Sequence, residues 1–288
     1  MNLALFKFTN LADRAINSDA WFVDLGDVVD TLDGNDTIAA SGGGNGIEIG
    51  GTLNTGAGND TIKASTTDYT AIKNYRTINT GTGDDTITGI GVRLGNGSFG
   101  TGINNQAKCR INTGAGNDTI KGSSIDNSGR INTGAGNDTI KVNSIDNSGA
   151  INTGAGNDIV DALVGGFNGT SIGLGGTYSV FAEQGTTNLG ANNDTLKGFG
   201  GGKFNGGTGI DKILLGEGTY QINGNSIKSD YAKYCNTVYL GDGIYEDECV
   251  LKGMNVNEFE RIGGVNGGLF AFKDGTLTVD GAGVGTFS

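Results

Sequence analysis

A short motif that ends in aspartate recurs along most of this chain. Its fullest copy starts at Ile111 and reads INTGAGND, followed by TIK, and an identical stretch starts at Ile131. Eight motif copies end on Asp36, Asp60, Asp85, Asp118, Asp138, Asp158, Asp194 and Asp211. Self-similarity at a roughly constant period is the signature of a repeat architecture, so this feature constrains the fold more than any other.

The spacing of these aspartates gives the size of the repeating unit. Successive gaps are 24, 25, 33, 20, 20, 36 and 17 residues, which indicates a basic unit of about 18–20 residues. We interpret the gap of 36 as two units with one failed turn near residues 173–176. We interpret the gap of 33 as one unit with an inserted loop around residues 95–105.

Each unit contains two short stretches of alternating polar and aliphatic residues, centred in one unit on Ile120 and Ile131. Period-two alternation predicts short strands whose aliphatic side chains point inward. Stacked coils would place equivalent strands about 4.8 Å apart in parallel register. The predicted interior columns are Ile62, Ile87, Ile120, Ile140 and Val160, and Leu53, Ile78, Ile111, Ile131 and Ile151. The sequence therefore predicts an all-β fold, a right-handed parallel β-roll or β-solenoid with about 18–20 residues per coil.

The repeats divide the chain into three parts. Residues 31–215 form the predicted roll, and a solenoid of this kind needs a cap at each end. Residues 1–30, with Trp21, Phe22 and Val23, are the predicted N-terminal cap. Residues 216–288 lack the repeat but hold nine of the 21 aromatic residues, so they are predicted to form a C-terminal β cap.

Composition narrows the possible functions. The 56 glycines without any proline indicate many tight turns with positive φ and exclude collagen. The net charge of −12 disfavours nucleic acid as a partner and favours cations. The absence of histidine excludes Ser-His-Asp and Cys-His catalysis and the usual zinc sites. No apolar stretch is long enough to span a membrane, and the N-terminal apolar run is too short for a signal peptide.

Stacking the motif places its aspartates in a row along one edge. Two like charges about 5 Å apart repel by roughly 3 kcal/mol at an effective dielectric constant near 20. Calcium would neutralise such a row, since it takes six to eight oxygen ligands from carboxylates and carbonyls. The sequence therefore predicts several Ca²⁺ ions between adjacent turns, in one ladder.

The nine residues from Thr113 to Lys121 resemble the GGxGxDxUx repeat of the RTX family of secreted calcium-binding proteins, with Thr113 in place of the first glycine. The resemblance implies a calcium-bound parallel β-roll outside the cell or at its surface, with export that uses a C-terminal type I signal and no N-terminal signal peptide. It implies carboxylate ligands from the eight motif aspartates. It also implies turn ligands at Thr55, Ala57, Thr80, Thr82, Thr113, Ala115, Thr133, Ala135, Thr153 and Ala155.

The turn at the opposite edge of the coil lacks the motif. It reads SIDNSG from Ser124, whereas the family typically binds calcium at both edges. We therefore predict that ions line one edge alone and that Asp126 and Asp146 help to form metal-free turns on the other.

Three hypotheses of function follow. The first is a secreted structural or cell-surface protein that folds on binding Ca²⁺. The second is calcium-dependent ice binding, since RTX-type ice-binding domains have similar coils, although their outward threonine is here mostly alanine. The third is an enzyme, or the accessory module of one, that acts on an extracellular polysaccharide or small molecule, although the sequence contains no recognisable catalytic constellation.

The three cysteines allow two interpretations. Cys235 and Cys249 could close a loop in an oxidising compartment, which would leave Cys109 unpaired. Alternatively, all three are ordinary thiols.

Overall fold

The computed structural model describes residues 1–92, 100–164, 166–168, 185–239 and 245–288. The predicted failed turn at residues 173–176 and part of the predicted inserted loop lie outside these ranges. Apart from a 3-10 helix at Leu3–Leu5, every named element in the described ranges is a β-strand. Within the same ranges, no helix has the length and apolar character needed to cross a membrane.

The strands form two long sheets that run side by side along the stack of coils. The main row of the first sheet is β1 (Arg14–Asn17), β4 (Thr37–Gly42), β7 (Thr61–Thr66), β10 (Thr86–Gly91), β13 (Thr119–Asn127), β15 (Thr139–Asn147), β17 (Ile159–Asp161), β20 (Thr195–Lys197), β22 (Lys212–Leu215), β26 (Arg261–Gly264) and β27 (Gly267–Ala271). Its side row is β2 (Trp21–Val23), β5 (Ile47–Ile49), β8 (Ile72–Asn74), β11 (Ile103–Asn105) and β18 (Gly166–Asn168).

The second sheet contains the strand that leads into each aspartate-bearing turn. In spatial order it is β3 (Val28–Asp30), β6 (Thr52–Asn54), β9 (Thr77–Thr82), β12 (Arg110–Ala115), β14 (Arg130–Ala135), β16 (Ala150–Ala155), β19 (Thr186–Ala191), β21 (Gly202–Thr208), β25 (Tyr245–Asn257), β24 (Ser226–Tyr239), β23 (Gly218–Asn223), β28 (Gly275–Val279) and β29 (Gly285–Phe287). Pairing is parallel from β3 to β25 and antiparallel beyond β25. The parallel β-solenoid predicted from the sequence is confirmed.

The core is a narrow aliphatic column between the sheets. Register pairs Ile87 with Ile62 and with Ile120, and pairs Ile111 with Ile78 and Ile131. All ten residues of the two predicted interior columns are 0% exposed. A third column was not predicted. It comes from the side row and consists of Ile47, Ile72, Ile103, Ile125 and Ile145, all buried.

Regular parallel pairing extends beyond the repeats at both ends. β1 pairs with β4 from Arg14 onward, and Trp21 in β2 pairs with Ile47. At the other end, Ile262 in β26 pairs with Ile213 in β22. In the antiparallel pair of β24 and β25, the backbone of Cys235 lies directly opposite that of Cys249. Among the described side chains, Cys109 is a buried free thiol.

Two interpretations of the spacing need correction. The gap of 36 residues is a single coil, because Val160 pairs directly with Leu196. Gly166–Asn168 belongs to this same coil and pairs with Ser144–Asp146 of the preceding one, and residues 169–184 lie outside the described ranges. The gap of 33 residues is also one coil, as predicted, but Ile103–Asn105 is a paired strand, so the inserted loop ends earlier than expected.

The edge opposite the aspartates is held by buried asparagines. The Asn105 side-chain amide donates to Asn127 Oδ1 at 2.7 Å, and Asn127 donates to Asn147 Oδ1 at 2.8 Å. Asp126 and Asp146 lie within β13 and β15, so the prediction that they form the turn was wrong. Asparagine fills the turn position because its amide can both donate and accept along the stack, which a carboxylate cannot do.

Candidate cation-binding edge

Six of the eight aspartate-bearing turns have two glycines with positive φ, and the turns before Asp36 and Asp194 have Leu32 and Asn192 at one of these positions. In one coil the two glycines are Gly134 at +112° and Gly136 at +128°. A Cβ atom on Gly134 would lie 1.9 Å from the Gly114 carbonyl oxygen of the neighbouring coil. The glycines therefore supply both the backbone conformation and the space for close stacking.

The motif aspartates form a continuous hydrogen-bonded row, here called the aspartate ladder. Each backbone N–H donates to Oδ1 of the aspartate in the next coil. For example, Asp118 donates to Asp138 and Asp138 donates to Asp158, both at 2.8 Å. All eight side chains are at most 1% exposed. The ladder thus connects every coil from Asp36 to Asp211.

The second carboxylate oxygen of the ladder is the unusual feature of this edge. In all eight aspartates, Oδ2 is buried and has no hydrogen-bond partner among the described residues. A buried polar atom without a partner costs about 1–3 kcal/mol, and more when it carries charge. Eight such atoms in a row require either protons or cations to stabilise them.

A row of buried threonine hydroxyls accompanies the ladder. Thr133 Oγ1 donates to the Thr153 carbonyl at 2.9 Å, and Thr113 Oγ1 donates to the Thr133 carbonyl at 3.1 Å. The Thr133 side chain also lies close enough to Asp138 to lower the pKa of that carboxyl, although its proton is directed to the carbonyl. Hydroxyl, carbonyl and carboxylate oxygens therefore line the interior of the turn together.

Burial dominates the electrostatics of these carboxyls. It raises the pKa of Asp60, Asp85 and Asp138 to about 6 and that of Asp194 to about 7. Neighbouring aspartates of the ladder raise these values further, while hydrogen bonds from the backbone lower them. The metal-free ladder thus holds protons more tightly than ordinary carboxyl groups do.

The ladder continues beyond the residues that the motif identified. The Asp13 backbone N–H donates to Asp36 Oδ1 at 2.8 Å, which starts the row. At the other end, the Asp211 backbone N–H donates to Glu260 Oε2 at 2.7 Å. Glu260 stands two residues before Ile262, as Asp211 stands two residues before Ile213. That spacing was the available signal, and glutamate in place of aspartate concealed it.

In six coils a threonine stands five residues before the motif aspartate, and the other two coils have a different residue at this position. Leu189 takes this place before Asp194, so that carboxyl has no hydroxyl beside it. Gly206 takes it before Asp211, in the one turn that carries the full double-glycine motif. A Cβ on Gly206 would lie 2.8 Å from Asp211 Oδ2 and 2.0 Å from the Glu258 carbonyl oxygen. A side chain at this position would therefore collide with the carboxylate and with the Glu258 carbonyl.

The carbonyl groups expected as ligands fall into two sets. Those of the threonines accept the hydroxyl of the preceding coil, inside the turn. Those of Ala57, Thr82, Ala115, Ala135 and Ala155 accept glycine N–H groups of the preceding coil at 2.7–2.8 Å. Both sets therefore accept hydrogen bonds along the stack, the first from threonine hydroxyls and the second from backbone N–H groups.

The donor chemistry of this edge fits a hard cation such as Ca²⁺, because carboxylate, hydroxyl and carbonyl oxygens lie along it and one carboxylate oxygen per coil is unpartnered. Among the described residues, no three acidic, cysteine or histidine side chains converge on one point where they could hold an ion by themselves. The aspartates lie in a line, so each ion would share carboxylates of adjacent coils and take its remaining ligands from threonine carbonyls and hydroxyls.

No protein-family model, curated protein or solved structure matches this chain. The fold and the site themselves define the class, which is a parallel β-solenoid with a buried carboxylate ladder along one edge.

Proposed function

We propose that this protein is an extracellular structural β-solenoid that binds Ca²⁺ along the aspartate ladder. The observation that supports this most strongly is the row of eight buried, unpartnered Oδ2 atoms. The resemblance of the turns to RTX repeats points in the same direction. Glu260 would complete the last site of the row, beside Asp211 and Gly206.

The cation would act on stability. Bound between coils, it neutralises adjacent carboxylates and supplies the partner that Oδ2 lacks. Because the site exists only when the coils are stacked, the free energy of binding becomes free energy of folding. A chain that meets millimolar calcium outside the cell would then complete its folding there.

The exposed face of the same turns favours this role over ice binding. The outward asparagines use Oδ1 to accept a backbone N–H of the next coil, as Asn117 does for Asn137 at 2.8 Å. The exposed residue between the two turn glycines is alanine in most coils, for example Ala115 and Ala135. Thermal hysteresis of the calcium-loaded protein would be the finding that favours ice binding instead.

Isothermal titration with CaCl₂ tests the proposal, with Asp138→Asn compared with Asp126→Asn. Both substitutions remove one carboxylate, at opposite edges of neighbouring coils. We expect Asp138→Asn to bind about one to two fewer ions per chain, because each aspartate would serve the sites above and below it. We expect Asp126→Asn to bind the same number as the unchanged protein.

Equal stoichiometry in Asp138→Asn and the unchanged protein, or equal losses in both variants, would contradict the proposal. Circular dichroism of each variant in saturating calcium confirms that the solenoid has formed before the ions are counted.

A further inference from the structure

The edge opposite the aspartate ladder carries a small basic pocket. Lys108, Arg110 and Arg130 line a cavity of about 310 Å³ together with Ser128 and Gly129. All three cationic side chains are exposed. They lie close together in a chain whose net charge is −12, so the pocket is a positively charged patch on a negatively charged protein.

Register places the two arginines side by side. Arg110 in β12 and Arg130 in β14 are direct partners in adjacent parallel strands, which lie about 4.8 Å apart. Thr77 and Ala150 occupy the same position in the flanking coils. The charged pair is therefore particular to two coils, and like charges at paired positions are destabilising unless something compensates them.

Lys108 joins this pair through a change in the turn. Four residues separate Asn105 from Arg110, whereas two separate Asn127 from Arg130. The longer turn holds Lys108 at φ +68°, a conformation that non-glycine residues rarely adopt. The turn is thus built to bring a third cation to the arginine pair.

No acidic side chain of the described residues lies within 4.0 Å of the charged groups of these three residues. In the described part of the chain, the one ion pair within 4.0 Å joins Lys197 to Asp161, at another place on the surface. Ser128 Oγ accepts a hydrogen bond from Ser148 at 3.1 Å, which leaves its own proton to donate. The pocket therefore presents three cations and a hydroxyl donor together.

We propose that this pocket binds a sulfate or phosphate monoester group. Guanidinium groups bind such oxyanions through paired parallel hydrogen bonds, and Lys108 would add a third positive charge. The anion would also remove the repulsion between Arg110 and Arg130. The group would come either from the free ion or from a sulfated polysaccharide, and no residue of the aspartate ladder lines the pocket.

Calorimetric titration of the folded full-length chain tests this, with sodium sulfate and a sulfated disaccharide as probes and chloride keeping the ionic strength constant. The double variant Arg110→Gln, Arg130→Gln is compared with the charge-matched double variant Arg14→Gln, Lys63→Gln, which alters two exposed cations outside the pocket. We expect roughly a tenfold or greater loss of sulfate affinity in the first and no change in the second.

The two probes distinguish the source of the group. Tighter binding of the disaccharide than of sulfate identifies a polysaccharide, and equal binding identifies the free ion. The proposal would be overturned if the unchanged protein bound sulfate no more tightly than acetate. It would also be overturned if the two double variants lost sulfate affinity equally. Thermal unfolding adds a check on folding, since removing the like-charged pair should not destabilise the protein in sulfate-free buffer.

Discussion

Replacing Gly134 by alanine is expected to lower the midpoint of thermal unfolding by roughly 10 °C, which corresponds to about 4 kcal/mol for a chain of this size. The new Cβ atom would lie 1.9 Å from the Gly114 carbonyl oxygen, at a φ of +112°. Backbone atoms of two coils would have to separate, and the carbonyl cannot move aside as a flexible side chain can. The loss should therefore spread to the aspartates on either side.

Gly26→Ala is the matched control for this substitution. Gly26 has a φ of +92°, yet a Cβ there meets no atom within 4 Å. It should lose about 1–2 kcal/mol through backbone strain alone. Unfolding followed by circular dichroism in saturating calcium measures both variants, and similar midpoints would contradict close stacking of the turns.

The second large effect concerns pH in the absence of divalent cations. Burial raises the pKa of Asp60, Asp85 and Asp138 to about 6 and of Asp194 to about 7, from 3.8. Protons then bind the folded chain more tightly than the unfolded chain. This contribution to stability is complete below pH 3.8 and is lost as the pH rises through about 6 to 7. Each unit of raised pKa corresponds to about 1.4 kcal/mol per group.

In excess chelator, we therefore expect the protein to lose several kcal/mol of stability between pH 5 and pH 8. Saturating calcium should restore stability at pH 8, because the cation takes the place of the protons. Urea unfolding at both pH values, with and without calcium, measures the effect. Asp138→Asn should weaken the pH dependence in chelator. A chelated protein that is as stable at pH 8 as at pH 5 would refute this account of the ladder.

Sequence periodicity predicted the fold because each aliphatic residue of the first interior column stands two positions after a motif aspartate. That rule placed Ile120 and Ile140 correctly, and their register confirms it. Spacing along the chain was a weaker guide, since an excursion of any length can leave and rejoin one coil. The 36-residue gap was misinterpreted for this reason, and the pairing of Val160 with Leu196 and the bond from Asp158 to Asp194 reveal a single coil.

The motif letters predicted the carboxylates of the candidate site but not how its other oxygens are bonded. The resemblance implied turn ligands at Thr113 and Thr133, whereas the bond from each threonine hydroxyl to the carbonyl of the next coil depends on the register of β12 and β14. The asparagine row at the opposite edge was missed for a related reason. Asp126 and Asn127 are adjacent and both favour turns, and only the strand register decides which of them points inward.

A crystal grown with calcium and measured at a wavelength where calcium scatters anomalously would show directly whether ions line the aspartate ladder. We predict one row of anomalous peaks between adjacent coils, next to the Oδ2 atoms from Asp60 to Asp158, and no row beside Asn105, Asn127 and Asn147. A folded solenoid without peaks along the aspartate ladder, or with peaks along the asparagine edge, would contradict this prediction.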